Sequence, residues 1–315
     1  MTLPGVASAG HVSTRATGLA LAFATSIISG VAVYVNSHGV SRFDDATVYT
    51  TAKNAVAGVL LFLLAAPVLA SRGASRRPAP RPRTARQWTA LMALACVGGS
   101  VPFVLFFEGL SRATATQAAF IHKTLVIWVA LLAVPILSER IGRAHFAAIA
   151  LVVAGQAWLA GDLGTVAFGA GEAMIFAATL LWAAEVILVK RLTATLDARM
   201  LAAARMALGT VLVGAWVAAS GRGAEFVALT ASQWGWAILT GLFLTGYVAT
   251  WYAALARAHA VDVTAVLVFA AVVTAALSSA ADGAAVNGAG IVLITLGVGL
   301  AAAAALARRP RAAPA

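Results

Sequence analysis

Ten apolar stretches follow one another along this chain, with hardly any other sequence between them. A helix that crosses a lipid bilayer needs about 20 mainly apolar residues, and each stretch has room for one such crossing. Hydrophobic residues make up 62% of the chain and charged residues only 10%, which excludes a water-soluble globular domain. We therefore predict an all-α membrane protein with ten transmembrane helices, near 17–38, 47–70, 88–109, 113–137, 144–160, 166–189, 198–219, 234–255, 260–280 and 288–306.

The second five stretches repeat sequence features of the first five. The segments 106–113 and 251–258 share Leu-x-Arg-Ala after an aromatic pair, and Gln-Trp opens both the third and the eighth stretch. Because each half crosses the membrane an odd number of times, the second half is inverted relative to the first. The predicted organisation is a cytoplasmic tail at 1–16, two inverted five-helix repeats at 17–160 and 161–306, and a basic tail at 307–315.

The positive charge of the chain, +11 overall, is concentrated on one side of this arrangement. The loops and tails on the side of the N-terminus carry 16 Lys and Arg residues, and the other loops carry only Arg42, Arg112 and Arg222. Since cytoplasmic loops are enriched in basic residues, both termini are predicted to be cytoplasmic, in a bacterial inner membrane. The arginine-rich loop from Arg72 to Arg86 is expected to contact anionic lipid headgroups rather than nucleic acid.

Several motifs, in order, resemble the EamA domain of the drug/metabolite transporter superfamily. Residues 106–159 show the aromatic segment, the tight turn and a Leu-Ser-Glu-Arg sequence at 137–140, while Trp182 with Lys190, and then Arg205, match the start of the second domain. The resemblance implies a secondary transporter with a central cavity between the third, fourth, eighth and ninth helices. Three features depart from the family pattern: Lys123-Thr124-Leu125 replaces a proline in the fourth helix, the second half lacks the Glu-Arg motif, and the first helix lacks a Trp-Gly pair.

Polar residues inside apolar helices are the candidate substrate ligands, because an intramembrane charge is costly and usually functional. Lys123 lies about ten residues into the fourth helix, near the membrane midplane, and Thr116 precedes it by seven residues on the same helical side. A cavity-facing lysine can bind a carboxylate or phosphate, or it can pair with an acid on a neighbouring helix; both readings stay open. The remaining candidates are His122, which can shuttle protons or bond between helices, and the aromatic residues Trp128, Trp182 and Tyr252.

Two further groups of charges are candidates for gating or proton coupling. Lys53, Glu108 and Glu172 lie at similar depth near one membrane surface, where we expect a charge network. Glu185 and Arg205 lie at similar depth near the other surface, so they can pair. For both groups a gate and a static link between helices remain alternatives. His259 and Asp262 are predicted to be solvated residues of a short cytoplasmic loop.

The predicted function is alternating-access export of a small polar or amphipathic metabolite such as an amino acid, with proton coupling as an option. The sequence has no phosphate-binding loop and no cysteine or histidine cluster with metal spacing, so we predict no cofactor, no metal and no enzymatic activity. The expected partners are the solute and the lipid bilayer, with a homodimer left open. The alternatives are a membrane scaffold and a lipid-handling enzyme, which requires catalytic residues at one interface.

Overall fold

In the part of the chain that it describes, the computed structural model is a bundle of ten long apolar helices, which confirms the predicted fold class. It describes residues 4–70, 81–161 and 168–308, with only the backbone for 4–13 and 115–116. The sixth helix begins at Ala170, later than predicted, because the Glu172 carboxylate accepts the backbone N–H of Gly169 and so fixes the helix start. We number the spans 1 to 10: Thr14–Val40, Ala46–Ala70, Ala85–Leu110, Gln117–Leu137, Arg143–Ala160, Ala170–Leu192, Ala198–Ala219, Ala231–Leu255, Ala260–Asp282 and Gly288–Ala307.

The bundle has two faces, defined here by the direction of span 1. The N-terminal face is the side where span 1 begins, and the opposite face is the side where it ends at Val40. Large apolar side chains such as Val59, Phe62 and Leu63 are exposed around the middle of the bundle, as expected for helices that contact lipid. Residues 71–80 of the arginine-rich loop, and the basic tail from 309 onwards, lie outside the described residues.

The repeated Gln-Trp sequence has a local explanation at the starts of spans 3 and 8. Thr84 accepts the backbone N–H of Gln87, and Thr230 accepts that of Gln233. In return, the Gln233 side chain accepts the backbone N–H of Thr230, and Gln87 does the same for Arg83. These contacts satisfy N–H groups that have no partner within the helix, so the shared motif is a pair of equivalent helix caps.

Three spans are interrupted near the middle of the bundle. Span 3 contains a π-helical turn at Ala95–Ser100. Span 4 consists of two helices, Ala115–Lys123 and Leu125–Leu137, and span 9 likewise of Ala260–Leu267 and Ala270–Asp282. The break in span 4 occurs without proline: Thr124 donates both its hydroxyl and its backbone N–H to the carbonyl of Ile121. Spans 4 and 9 occupy equivalent places in the two repeats, so the interruption is part of the repeat.

The helix pairing confirms the internal repeat. Spans 2 and 7, 4 and 9, and 5 and 10 pack against each other, and each pair joins equivalent helices of the two halves. Span 1 packs on spans 8 and 9 of the second half, just as span 6 packs on spans 3 and 4 of the first. Each contact is therefore matched by its counterpart five helices on. This is the pattern of an inverted repeat with its symmetry axis through the bundle centre.

Small residues allow the closest of these contacts. A Cβ added to Gly155 of span 5 would lie 2.9 Å from the carbonyl oxygen of Gly290 in span 10, and one added to Gly290 would lie 3.0 Å from the carbonyl oxygen of Gly155. Only glycine fits at both positions. Without a hydrophobic driving force between helices in lipid, such close backbone packing is a main source of helix association.

Candidate functional site

A large cavity of about 630 Å³ lies between the two repeats. It reaches the opposite face at Ser37 of span 1 and Leu110 of span 3, and it extends inward to Arg205 of span 7. Arg205 is the eighth residue of its span, about 10 Å along the helix from the N-terminal face. The resemblance implied a cavity between spans 3, 4, 8 and 9; its wall also includes residues of spans 1, 2, 6 and 7.

A buried ion pair forms the inner end of the cavity. The Arg205 Nε lies 2.6 Å from Oε1 of Glu185, and the Tyr252 hydroxyl donates to the same carboxylate oxygen at 2.7 Å. The side chains of Glu185 and Arg205 are each 6% exposed, and the Arg205 guanidinium lies 5.6 Å from the Phe103 ring centre. The expected pairing of Glu185 with Arg205 is therefore present, and it links spans 6 and 7 of the second repeat. Whether it acts as a gate stays a prediction.

A second group with a similar arrangement lies closer to the mouth of the cavity. Lys53 of span 2 donates to Oδ1 of Asn36 at 3.2 Å, and the Tyr49 hydroxyl donates to that oxygen at 2.5 Å. The Lys53 ammonium also lies 5.0 Å from the Tyr49 ring centre and 5.8 Å from that of Phe107, within cation–π range. A tyrosine, an acceptor and a basic residue thus meet here as they do around Arg205. Here, however, the acceptor is a neutral amide.

Aromatic rings form the wall between these two groups. Trp182 lies 4.8 Å from His122, 5.5 Å from Phe103 and 5.6 Å from Phe106, measured between ring centres. His122 Nδ1 is buried without a hydrogen-bond partner among the described residues. Lys123, the last residue before the break in span 4, lines the same cavity and makes no ion pair with any described residue. Lys123, His122, Trp182 and Tyr252 therefore line one cavity, and their role as substrate ligands stays a prediction.

Trp128 corrects the predicted substrate set. Its indole N–H donates to the Thr124 hydroxyl one turn earlier, and its ring packs on Phe176 at 5.2 Å. Leu125 and Val126 of the same helix line the cavity, but Trp128 is not among the lining residues. The side chain of Thr116, another predicted ligand, lies outside the described residues.

The expected network of Lys53, Glu108 and Glu172 does not form in the structure. Glu108 lies 2.6 Å from Arg222, which follows span 7, and Lys53 binds Asn36 instead. Glu172 accepts a backbone N–H at its own helix start, as described above. Glu108 and Glu172 lie in the terminal turns of spans 3 and 6, whereas Lys53 is the eighth residue of span 2 and therefore lies deeper. The sequence also does not specify which sides of these helices face each other.

The observed partner of Glu108 belongs to a link between the two repeats at the opposite face. Arg222 contacts Glu108 and also Asp45 at 3.4 Å, both in the first repeat. The hydrogen bond to Glu108 raises the pKa of the Arg222 guanidinium, which therefore stays charged at any physiological pH. The link involves the rim of the cavity and leaves the mouth open.

The N-terminal face is closed beneath the cavity by the Glu-Arg motif of the first repeat. Glu139 accepts the backbone N–H groups of Ala260 at 2.7 Å and Val261 at 3.2 Å, and its carboxylate lies 3.5 Å from Nδ1 of His259. Burial acts to raise the pKa of Glu139, but the hydrogen bonds from His259 and from these two backbone groups outweigh it and hold the pKa below its usual range. A carboxylate of one repeat thus caps the first helix of span 9 in the other.

A second set of charges lies beside this cap and corrects the prediction for Asp262. Asp262 belongs to the first turn of span 9 and is fully buried, so it is not a solvated loop residue. Its carboxylate lies 3.2 Å from Nε2 of His145 and 3.4 Å from Arg308. Lys190 of span 6 donates to the carbonyl oxygen of Leu255, the last residue of span 8, and to that of Ala258 in the connection to span 9. These contacts tie spans 5, 6, 8, 9 and 10 together beneath the cavity.

Neither the Glu139 cap nor the Asp262 cluster was singled out as a site from the sequence. Glu139 and Arg140 were recognised only as a motif, and His145 and Arg308 gave no signal, since isolated charges at helix ends are common. Within the described part of the chain, no three His, Cys, Asp or Glu side chains come together as a metal site.

Comparison with known proteins assigns the architecture to a family. The family model described as the EamA-like transporter family matches residues 16–161 and again residues 169–303. The chain belongs to the EamA-like transporter family. The two matched segments correspond to the two five-helix halves, so an EamA domain accounts for each half of the cavity wall.

The fold is also found among solved structures, of which 28 chains match. One crystal structure aligns with a TM-score of 0.73 over 92% of this chain and 98% of its own, at 16% sequence identity. At that identity the likeness shows the fold alone. No curated protein sequence matches this EamA-family chain.

Proposed function

We propose that this EamA-family protein is a secondary transporter that moves a small polar or amphipathic metabolite by alternating access. The observation that carries the proposal is the cavity between the two inverted repeats, which reaches one face and ends at a closed layer before the other. Such a cavity at a repeat interface, bordered by interrupted helices, is the usual position of a transporter binding site.

The asymmetry of the closure defines one conformation of the proposed cycle. Glu139 and Asp262 close the N-terminal face, and Arg222 joins the repeats at the opposite face without covering the cavity mouth. If the basic loops are cytoplasmic, as the distribution of arginine favours, this conformation is open to the outside. The inverted repeat supplies the second conformation, in which the closed and the open face exchange roles.

The proposal extends to export of the metabolite, with amino acids as one class of cargo, and to exchange for protons. Glu185 and His122 are the candidate proton carriers, since both line the cavity. Glu108 is a weaker candidate, because Arg222 holds it in an ion pair. The location proposed for both termini is the cytoplasm of a bacterial cell.

The test is solute uptake into proteoliposomes that contain the purified protein, with and without an imposed pH gradient. The solutes are labelled phenylalanine, phenylsuccinate and phenyl phosphate, which share a ring but differ in charge. Uptake of any of them above that of protein-free vesicles, saturating with concentration, supports transport; stimulation by the pH gradient supports proton exchange. If folded protein moves none of the three, the transport proposal fails for this class, and a scaffold or lipid-handling role gains weight.

A further inference from the structure

The two repeats differ in one chemically important respect, the charged residues that they contribute to the cavity wall. Lys53 and Arg205 are each the eighth residue of their spans, 2 and 7, and are therefore equivalent in the two repeats. Each shares an acceptor oxygen with a tyrosine hydroxyl. The acceptor beside Arg205 is the carboxylate of Glu185, whereas the acceptor beside Lys53 is the uncharged amide of Asn36.

The difference leaves the ammonium group of Lys53 without a counter-charge. No acidic oxygen of a described residue lies within 4.0 Å of Lys53, and its polar contact is the amide oxygen of Asn36. A charged group inside a membrane span is tolerated when it is paired or when it lines a water-filled cavity. Lys53 lines the cavity, so the second condition applies.

Lys123 adds a second uncompensated charge to the same cavity. It is the ninth residue of the first helix of span 4, and the equivalent position in span 9 is Val268, which also lines the cavity but is apolar. Lys123 lies at a helix C-terminus, where the helix dipole favours a cation. With Glu185 and Arg205 neutralising each other, the described residues leave the cavity wall with an excess of two positive charges.

We infer that the cargo itself supplies the missing negative charge: Lys53 and Lys123 form a binding site for the acidic group of an organic anion. The inference rests on the proposed transport function and narrows its cargo class. The recognised group is an oxyanion, carboxylate or phosphate, which accepts hydrogen bonds from ammonium groups. The rings of Phe106, Phe107 and Trp182 in the same wall suit an apolar body attached to that group.

The structure suggests a test that adds one charge at almost constant shape. Asn36→Asp gives Lys53 the carboxylate that Arg205 already has in the other repeat, so Lys53 becomes paired and less available to an anion. Asn36→Ser removes the amide acceptor without adding charge. Asn287→Asp adds the same charge at the opposite face, where Asn287 caps the start of span 10 and aspartate caps equally well. Lys53→Met and Lys123→Met remove the two cations directly.

Binding and transport are measured separately so that the two proposals can fail independently. Calorimetric titration of the detergent-solubilised protein with phenylsuccinate and phenyl phosphate measures binding, with phenylalanine as the zwitterionic comparison. Uptake of the same three solutes into proteoliposomes measures transport. The two anions distinguish a site for a carboxylate from a site for a phosphate. Phenylalanine carries a carboxylate but no net charge, so it tests whether the site requires a net negative charge on the solute.

The expected result is that at least one of the two anions binds more tightly than phenylalanine. Asn36→Asp, Lys53→Met and Lys123→Met then weaken its binding at least tenfold, while Asn36→Ser has a smaller effect and Asn287→Asp none. Anion binding without uptake contradicts the transport proposal and leaves the anion site intact. Binding of phenylalanine but of neither anion overturns the inference, as does anion binding that Asn36→Asp leaves unchanged in a folded variant. If none of the three binds to folded wild-type protein, the anion site is also overturned.

Discussion

The carboxylate of Glu139 lies 2.7 Å from the backbone nitrogen of Ala260, so a side chain of the first repeat caps a helix of the second. The contact spans 121 positions of sequence and closes the N-terminal face beneath the cavity. In an alternating-access cycle a contact of this kind has to break whenever that face opens. It therefore offers a direct way to perturb the balance between the two conformations.

Glu139→Ala is expected to shift the protein towards the conformation that is open at the N-terminal face. Loss of a helix cap costs about 1 kcal/mol, which corresponds to an approximately fivefold shift in a two-state equilibrium. The reporter is a cysteine at Ala258, which is 3% exposed in the closed face, introduced after Cys96→Ala. A membrane-impermeant maleimide should label it several-fold faster in the Glu139→Ala variant.

The control for this experiment is Asp44→Ala, which removes an exposed acid from the opposite face. It should leave labelling at position 258 unchanged. Equal labelling with and without Glu139 would contradict the role of this carboxylate in closure.

Acidification is expected to open the same face. The pKa of Glu139 lies below its usual range in the closed structure, so the ionised carboxylate favours closure. That contribution is complete above the ordinary glutamate pKa of about 4.3 and is lost as the pH falls through the lowered pKa. Spin labels at Arg140→Cys and Ala258→Cys, again without Cys96, report the separation across the face by pulsed electron resonance.

The distance between those labels should increase between about pH 5 and pH 3. Glu139→Gln carries no titratable group at this position, so it should remove most of the pH dependence. A transition of the same size in the Gln variant would assign the effect to another group, such as His259 or Asp262.

Arg205→Leu is expected to destabilise the protein by about 3–5 kcal/mol, because it leaves the buried carboxylate of Glu185 without a counter-charge. The double variant with Glu185→Leu should recover much of that loss, since no isolated charge remains buried. Unfolding in mixed detergent micelles, followed by circular dichroism, measures the free-energy differences. Arg199→Leu is the matched control: its side chain is 61% exposed, and a change below about 0.5 kcal/mol is expected. A double variant no more stable than the single one would show that the pair is not the source of the loss.

Two glycines of span 7 make a matched pair for testing helix packing. A Cβ at Gly209 would lie 2.5 Å from the carbonyl oxygen of Gly99 in span 3, whereas a Cβ at Gly214 would meet nothing within 4 Å. Gly209→Ala should therefore cost about 1–3 kcal/mol through overpacking. Gly214→Ala should be neutral or slightly stabilising, because alanine has the higher helix propensity. The same unfolding measurement compares them, and equal stabilities would contradict close contact between spans 3 and 7.

The order and approximate positions of all ten spans followed from the sequence alone. In lipid every backbone polar group has to form its hydrogen bond within its own helix. The length of an apolar stretch therefore indicates whether it forms a helix that crosses the membrane. The inversion of the second half followed from the odd number of spans in each half. Glu139, Trp182 and Arg205 belong to the motifs that resembled the EamA family, and the family match later confirmed that resemblance. The pairing of Glu185 with Arg205 was also predictable, because two neighbouring helices joined by a short loop place them at one depth.

The tertiary structure decided which side of each helix faces the cavity. Trp128 packs on Phe176 and is not part of the cavity lining, and Glu108 meets Arg222 rather than Lys53. The position of a residue along its span does not specify the rotation of the helix about its axis. Contacts such as Glu139 with Ala260 and Asp262 with Arg308 join segments that are distant in sequence. The apolar pattern along each span determines that it crosses the membrane, but side-chain packing between helices determines which polar groups meet.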